Sequence, residues 1–119
     1  MINEGGAIFS EGIGNLSLTG SSQGTGVDND GIVLFDRGDL TTVSGTITLD
    51  GTSSDGPNSQ GIAILNQSLI SSATGEIAIT GTGNGNTQGQ GIVINNSLIE
   101  TTQSGGFDPS RNRQWIRGE

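Results

Sequence analysis

The chain has 119 residues, of which 29% are apolar and 3% aromatic, with 22 glycines, two prolines and no cysteine or histidine. So little apolar material argues against an ordinary globular core, the glycines lack the every-third-residue spacing of collagen, and a disulfide-stapled scaffold is excluded. A formal net charge of -8 argues against nucleic acid as a partner and keeps the chain soluble.

Along the chain, residues 1–13 read as a partial first coil or an edge, and from residue 14 a unit of about thirty residues repeats. The first unit, 14–44, opens with Gly14-Asn15-Leu16-Ser17-Leu18-Thr19-Gly20, where apolar and small polar residues alternate with the period of two that marks a strand with one buried face. Residues 20–26 are Gly, Ser, Thr and Gln, a composition suited to a surface turn. A second strand follows in Gly31-Ile32-Val33-Leu34, and a third over residues 40–44.

The second unit, 45–74, repeats this order with Ile47 and Leu49, the polar loop 51–60, Gly61-Ile62-Ala63-Ile64 and a strand over 69–74. The third, 75–104, does so with Ile77 and Ile79, the loop 81–90, Gly91-Ile92-Val93-Ile94 and a strand over 98–104. Self-similarity at a fixed period decides the fold class before any single strand does. An antiparallel sandwich has no reason to repeat its strand order every thirty residues, and a disordered linker has no reason to align its aliphatic residues. The expectation is an all-β right-handed parallel β-helix, a solenoid of about three coils with three short strands each.

Stacking the units predicts five interior columns: Leu16, Ile47 and Ile77; Leu18, Leu49 and Ile79; Ile32, Ile62 and Ile92; Leu34, Ile64 and Ile94; and a looser one of Leu40, Ile70 and Ile99. Asp36, Asn66 and Asn96 align just after the second strand, where stacked amides are expected to bond to backbone and to one another at a turn. Residues 105–119 leave the repeat, and carry three of the four basic residues and the single Trp, Trp115. That tail reads as a cap over the last coil or a loose terminus rather than a basic contact site.

The unit GxIxLTGT followed by GIxIxNxxLIxxxxG, carried by residues 14–104, resembles the repeats of large bacterial exoproteins of the filamentous haemagglutinin type, which belong to two-partner secretion systems and are widespread in cyanobacteria. The resemblance implies a right-handed parallel β-helix, export to the outer-membrane surface or the medium, and service as a rod for adhesion or for displaying other domains. The partners it implies are neighbouring repeats of a longer rod, other surface proteins, or glycans. The amino-terminal secretion domain of that family is not visible in these residues, and Met1 to Gly6 lack the basic and apolar regions of a signal peptide. The expectation is a fragment of a longer exported protein, with no membrane insertion and with stacking at its open coil ends.

Catalytic chemistry has few residues to draw on. Without His, Cys, Tyr or Lys there is no Ser-His or Cys-His pair, no His-based zinc site and no Lys base. Carboxylates remain: Asp28, Asp30, Asp36, Asp39, Asp50 and Asp55, with Arg37 among them, are the residues from which a carbohydrate-acting lyase or glycoside hydrolase would be built. Asp28-Asn29-Asp30-Gly31 has oxygen donors at alternate positions before a glycine, as calcium loops do, but the distal Glu has no counterpart at the required spacing. Both features fit turn chemistry better. The outward positions of the first strand in each unit (Asn15, Ser17 and Thr19; Thr46, Thr48 and Asp50; Glu76, Ala78 and Thr80) are Thr-rich without forming a regular array. Val33, Ala63 and Val93 make an outward or shared apolar column suited to packing against a neighbouring module. The sequence thus points to a structural or adhesive module with no catalytic, cofactor or metal residues, and to a carbohydrate-acting enzyme as the alternative.

Overall fold

The computed structural model describes residues 1–84 and 89–102. The tail 105–119 and the end of the strand expected over 98–104 lie outside the described residues. All regular structure is strand: β1 (Ile2–Asn3), β2 (Ala7–Ser10), β3 (Leu16–Ser21), β4 (Ile32–Phe35), β5 (Asp39–Thr42), β6 (Ile47–Thr52), β7 (Ile62–Leu65), β8 (Leu69–Ser72), β9 (Ile77–Thr82), β10 (Ile92–Asn95) and β11 (Leu98–Thr101). No helix among these residues is long and apolar enough to cross a membrane.

The strands stack into three parallel sheets, β1-β4-β7-β10, β2-β5-β8-β11 and β3-β6-β9. Neighbours in each sheet come from successive turns of about thirty residues, so the chain winds as a β-solenoid of about three turns. With about 4.8 Å between rungs, four rungs span roughly 15 Å. β1 pairs with β4 and β2 with β5, so residues 1–13 contribute a rung to two of the three sheets.

Register delivers the five columns. Leu16, Ile47 and Ile77 are partners, as are Leu18, Leu49 and Ile79; Ile32, Ile62 and Ile92 align, and Leu34, Ile64 and Ile94 beside them. The column expected to be looser is as regular as the others: Leu40, Ile70 and Ile99 are in register, with Leu40 and Ile70 fully buried, and Ile8 extends it to four members. Ile2 likewise extends the Leu34 column. Ten Leu and Ile side chains fill the middle, while Ile2, Ile8, Leu16 and Leu18 at one end and Ile94 and Ile99 at the other stay partly exposed. Each side chain fully buried in this way contributes about 1.5–3 kcal/mol, so the central turns hold most of the stabilisation.

Each turn has three corners, and each bends by different chemistry. Between the first and second sheets the backbone enters the left-handed region at two successive residues: Glu4 and Gly5, Asp36 and Arg37, Asn66 and Gln67, but Asn96 alone in the last turn, which is one residue shorter there. This revises the expected amide ladder. Among the described residues no side-chain bond joins Asp36, Asn66 and Asn96; the stacking is by backbone, Arg37 N–H to Asn66 C=O at 2.9 Å and Gln67 N–H to Asn96 C=O at 2.6 Å. Asp and Asn are at this position because they tolerate a left-handed backbone better than other side chains do.

Between the second and third sheets, hydroxyls tie the corner from inside. Thr42 Oγ1 donates to Gly45 C=O at 2.7 Å, and Ser72 Oγ donates to the same carbonyl while accepting from Gly75 N–H at 2.9 Å. The third-sheet-bound chain therefore leaves the second sheet at Ser10, Thr42, Ser72 and Thr101, and β5 and β8 end two residues earlier than the expected strands over 40–44 and 69–74. At the last corner, between the third and first sheets, Gly20 faces Gly31, Gly51 faces Gly61 and Gly81 faces Gly91. A Cβ on Gly20, Gly51 or Gly81 would land on the partner's carbonyl oxygen. These six residues form a seam where two backbone segments touch, which only glycine permits.

Candidate functional site

The glycine pairs Gly20/Gly31 and Gly51/Gly61 each pinch the neck of a polar loop, so residues 22–30 and 53–60 stand off the solenoid body as compact loops with adjacent ends; the corresponding third loop lies partly outside the described residues. Polar side chains bond within these loops, as Ser22 Oγ does to Asn29 C=O and Asn29 Nδ2 to Gly26 C=O, and also from one turn to the next. Asn29 N–H donates to Ser59 Oγ at 3.0 Å, Ser54 N–H to Ser22 Oγ at 2.8 Å, and Ser54 Oγ to Gly24 C=O at 2.6 Å. Asn84 continues the ladder through two bonds to Ser53. Ser53 and Ser59 are buried, so these hydroxyls satisfy backbone groups that would otherwise be dry and unpaired. The loops thus form an ordered polar ridge parallel to the solenoid axis.

Beside the ridge runs the outer face of the first sheet. Period-two alternation that sends Ile32, Leu34, Ile62 and Ile64 inward sends Val33, Phe35, Ala63 and Leu65 to the opposite face, with Val33 and Ala63 in register across β4 and β7 and Ala63 itself buried there. Val93 follows in β10. Ridge and face enclose a groove of about 490 Å³, with Val33, Phe35 and Leu65 as floor, Asp28, Asp30, Asn58 and Gln60 as wall, and Met1 at its margin. Phe35 is 38% exposed.

The wall is built by the thirty-residue repeat. Asn58 Nδ2 donates to the Asp28 carboxylate, and Gln60 N–H donates to Asp30 Oδ1 at 2.8 Å, so each acid of one turn is held by an amide of the next. Burial pushes the Asp30 carboxyl above its usual range; the Gln60 N–H works against that shift and the neighbouring Asp28 charge adds to it.

The six aspartates do not gather at one place. Asp28 and Asp30 share the groove wall. Asp36 sits in the corner after β4 with Arg37 Nε 3.9 Å away, and Asp39 begins β5. Asp50 lies on the exposed face of β6 between Thr19 and Thr80, and Asp55 is exposed in the second loop. Among the described residues no three carboxylates approach closely enough to share a metal ion. One carboxylate oxygen each of Asp28 and Asp30 accepts from an amide of the next turn, so this acidic pair serves loop architecture as well as lining the groove.

The sequence pattern singled out Val33, Ala63 and Val93 but passed over Phe35 and Leu65, although the same alternation, carried one residue further, puts them on the same face. It also passed over Asn58 and Gln60. Their signal was the thirty-residue offset from Asp28 and Asp30. Compared with known proteins, the chain matches no family model, no curated protein and no solved structure.

Proposed function

We propose that this chain is a non-catalytic structural and adhesive module of a bacterial surface or exported protein, of the kind represented by filamentous haemagglutinin-type repeats, and that its loop ridge and adjoining groove are its contact surface. The observation that carries this reading is the way polar side chains are used: bonds from turn to turn join the first two loops into a ridge, and Asn84 extends it towards the third turn. Surface loops on a rigid scaffold are where contact residues are usually displayed. Neighbouring repeats of a longer rod, surface proteins and glycans are the partners this role calls for.

One observation favours a second reading, a carbohydrate-acting enzyme: Asp28 and Asp30 line the same groove. A glycosidase needs one carboxyl to donate a proton while the other attacks or activates water. The two readings separate in one experiment. Beads coated with the chain are tested for retention on bacterial and host cell surfaces, and the soluble chain is incubated with polysaccharides and assayed for new reducing or unsaturated ends. Retention above a scrambled-sequence control, with no new ends, supports the scaffold. Product formation that disappears in Asp28→Asn/Asp30→Asn replaces it with the enzyme.

A further inference from the structure

We infer that the groove between the loop ridge and the outer face of the first sheet is a docking site for a basic peptide segment of a partner protein, one that carries a large apolar side chain next to its cations. The inference rests on the scaffold reading only in treating the groove as a contact surface and not as a catalytic cleft. Two properties of the groove select this occupant. Its floor, Val33, Phe35 and Leu65, is apolar and includes a partly exposed ring, while its wall places Asp28 and Asp30 side by side. Apolar pockets with a few placed polar groups take ligands of matching amphipathic character.

Charge decides the sign of the polar part. Of the chain's twelve acidic side chains, all but Asp108 and Glu119 lie among the described residues, whereas of its four arginines only Arg37 does. Arg37 stands beside Asp36 and is not a lining residue of the groove. The acidic wall therefore faces a groove with no Lys or Arg among its lining residues, in a body of strongly negative potential, which attracts cations and repels anionic ligands. A guanidinium reaching Asp28 or Asp30 would enter a groove that the Phe35 ring also lines, and cations are drawn to the faces of aromatic rings. The apolar side chain of the same segment would cover Val33 and Leu65.

The test uses the full chain and a fluorescein-labelled peptide, RSRALFR, followed by fluorescence anisotropy at low salt, with ESEALFE as the charge-reversed probe. Binding of the basic peptide alone is expected. It should weaken about ten-fold or more in Asp28→Asn/Asp30→Asn and with added salt, as for charge-steered contacts. It should also weaken in Phe35→Ser and stay unchanged in Asp50→Asn, which lies on another sheet; circular dichroism of each variant establishes that it is folded. Equal binding of both peptides, no binding at all, or unchanged affinity in a folded Asp28→Asn/Asp30→Asn chain overturns the proposal. A second comparison uses Arg111→Gln/Arg113→Gln/Arg117→Gln. If this variant binds RSRALFR and the parent does not, the chain's own basic segment is the occupant and the assignment to a partner protein is overturned. Adhesion is scored on cells and docking in solution with a defined peptide, so failure of one is not read as failure of the other.

Discussion

The inside of the solenoid and the loop ridge are stacked with the same thirty-residue offset, yet they are held by opposite chemistry. Inside, Ile over Leu over Ile makes a column in which any aliphatic side chain of similar volume serves, because dispersion and water exclusion have no direction. On the ridge, Asp28 over Asn58 and Asn29 over Ser59 are bonds with a donor and an acceptor, so the side chains that make them must keep a group of the right sense. The interior repeats recognisably in sequence because its requirement is simple. The ridge does not, because each pair solves the same geometry with a different donor.

The largest effect should come from breaking the interior. Ile64 is fully buried in the centre of its column, and Ile64→Asp should abolish the cooperative β melt followed by circular dichroism, since an unpaired buried charge costs several kcal/mol against a total stability of about 5–15 kcal/mol. Next comes the seam that joins the two regions. Gly51→Ala should cost about 1–3 kcal/mol, as overpacking does, because its Cβ would meet the Gly61 carbonyl, whereas Gly26→Ala, which meets nothing, should leave the denaturation midpoint unmoved.

A smaller loss is expected at a buried hydroxyl. Ser68 Oγ donates to Leu65 C=O at 2.7 Å and accepts from Gly38 N–H at 3.2 Å, so Ser68→Ala leaves a buried N–H unpaired and should lower stability in urea by about 1–3 kcal/mol. The smallest effect sharpens the comparison at the ridge. The Asp30 carboxyl is raised from its ordinary 3.8, so the folded state holds its proton more tightly than the unfolded state does. This group's contribution therefore falls as pH rises from 3.8 through the raised value. Asp30→Asn keeps an acceptor for Gln60 N–H and loses the charge. It should melt slightly above the parent at pH 7, and that margin should vanish below pH 3.8; a margin independent of pH would contradict the assignment.

What could be read from the sequence follows from which constraints repeat. The columns were legible to the residue because period-two alternation and a thirty-residue offset coincide in Leu34, Ile64 and Ile94. The Asp36, Asn66 and Asn96 corner was located but its cause was misread: an aligned Asn suggests a side-chain ladder as readily as a left-handed backbone, and sequence alone does not separate them. The glycine seam was visible only as punctuation, since its two members lie ten or eleven residues apart and meet through the loop closure. The groove was half legible. Val33 announced the apolar face, but that Asp28 and Asp30 border it depends on how the loop folds back over β4.

The glycine seam has a consequence for how such a chain can vary. Because Gly51 and Gly61 bring the two ends of a loop together at the body, a change in the length of the loop tip between them need not move the strands on either side. Lengthening a loop closed in this way adds only about 0.6 kcal/mol of closure entropy for each doubling of its length. The loop tips above the necks are therefore natural insertion points, where a longer recognition segment or a whole foreign domain can be carried while the rungs beneath keep their register.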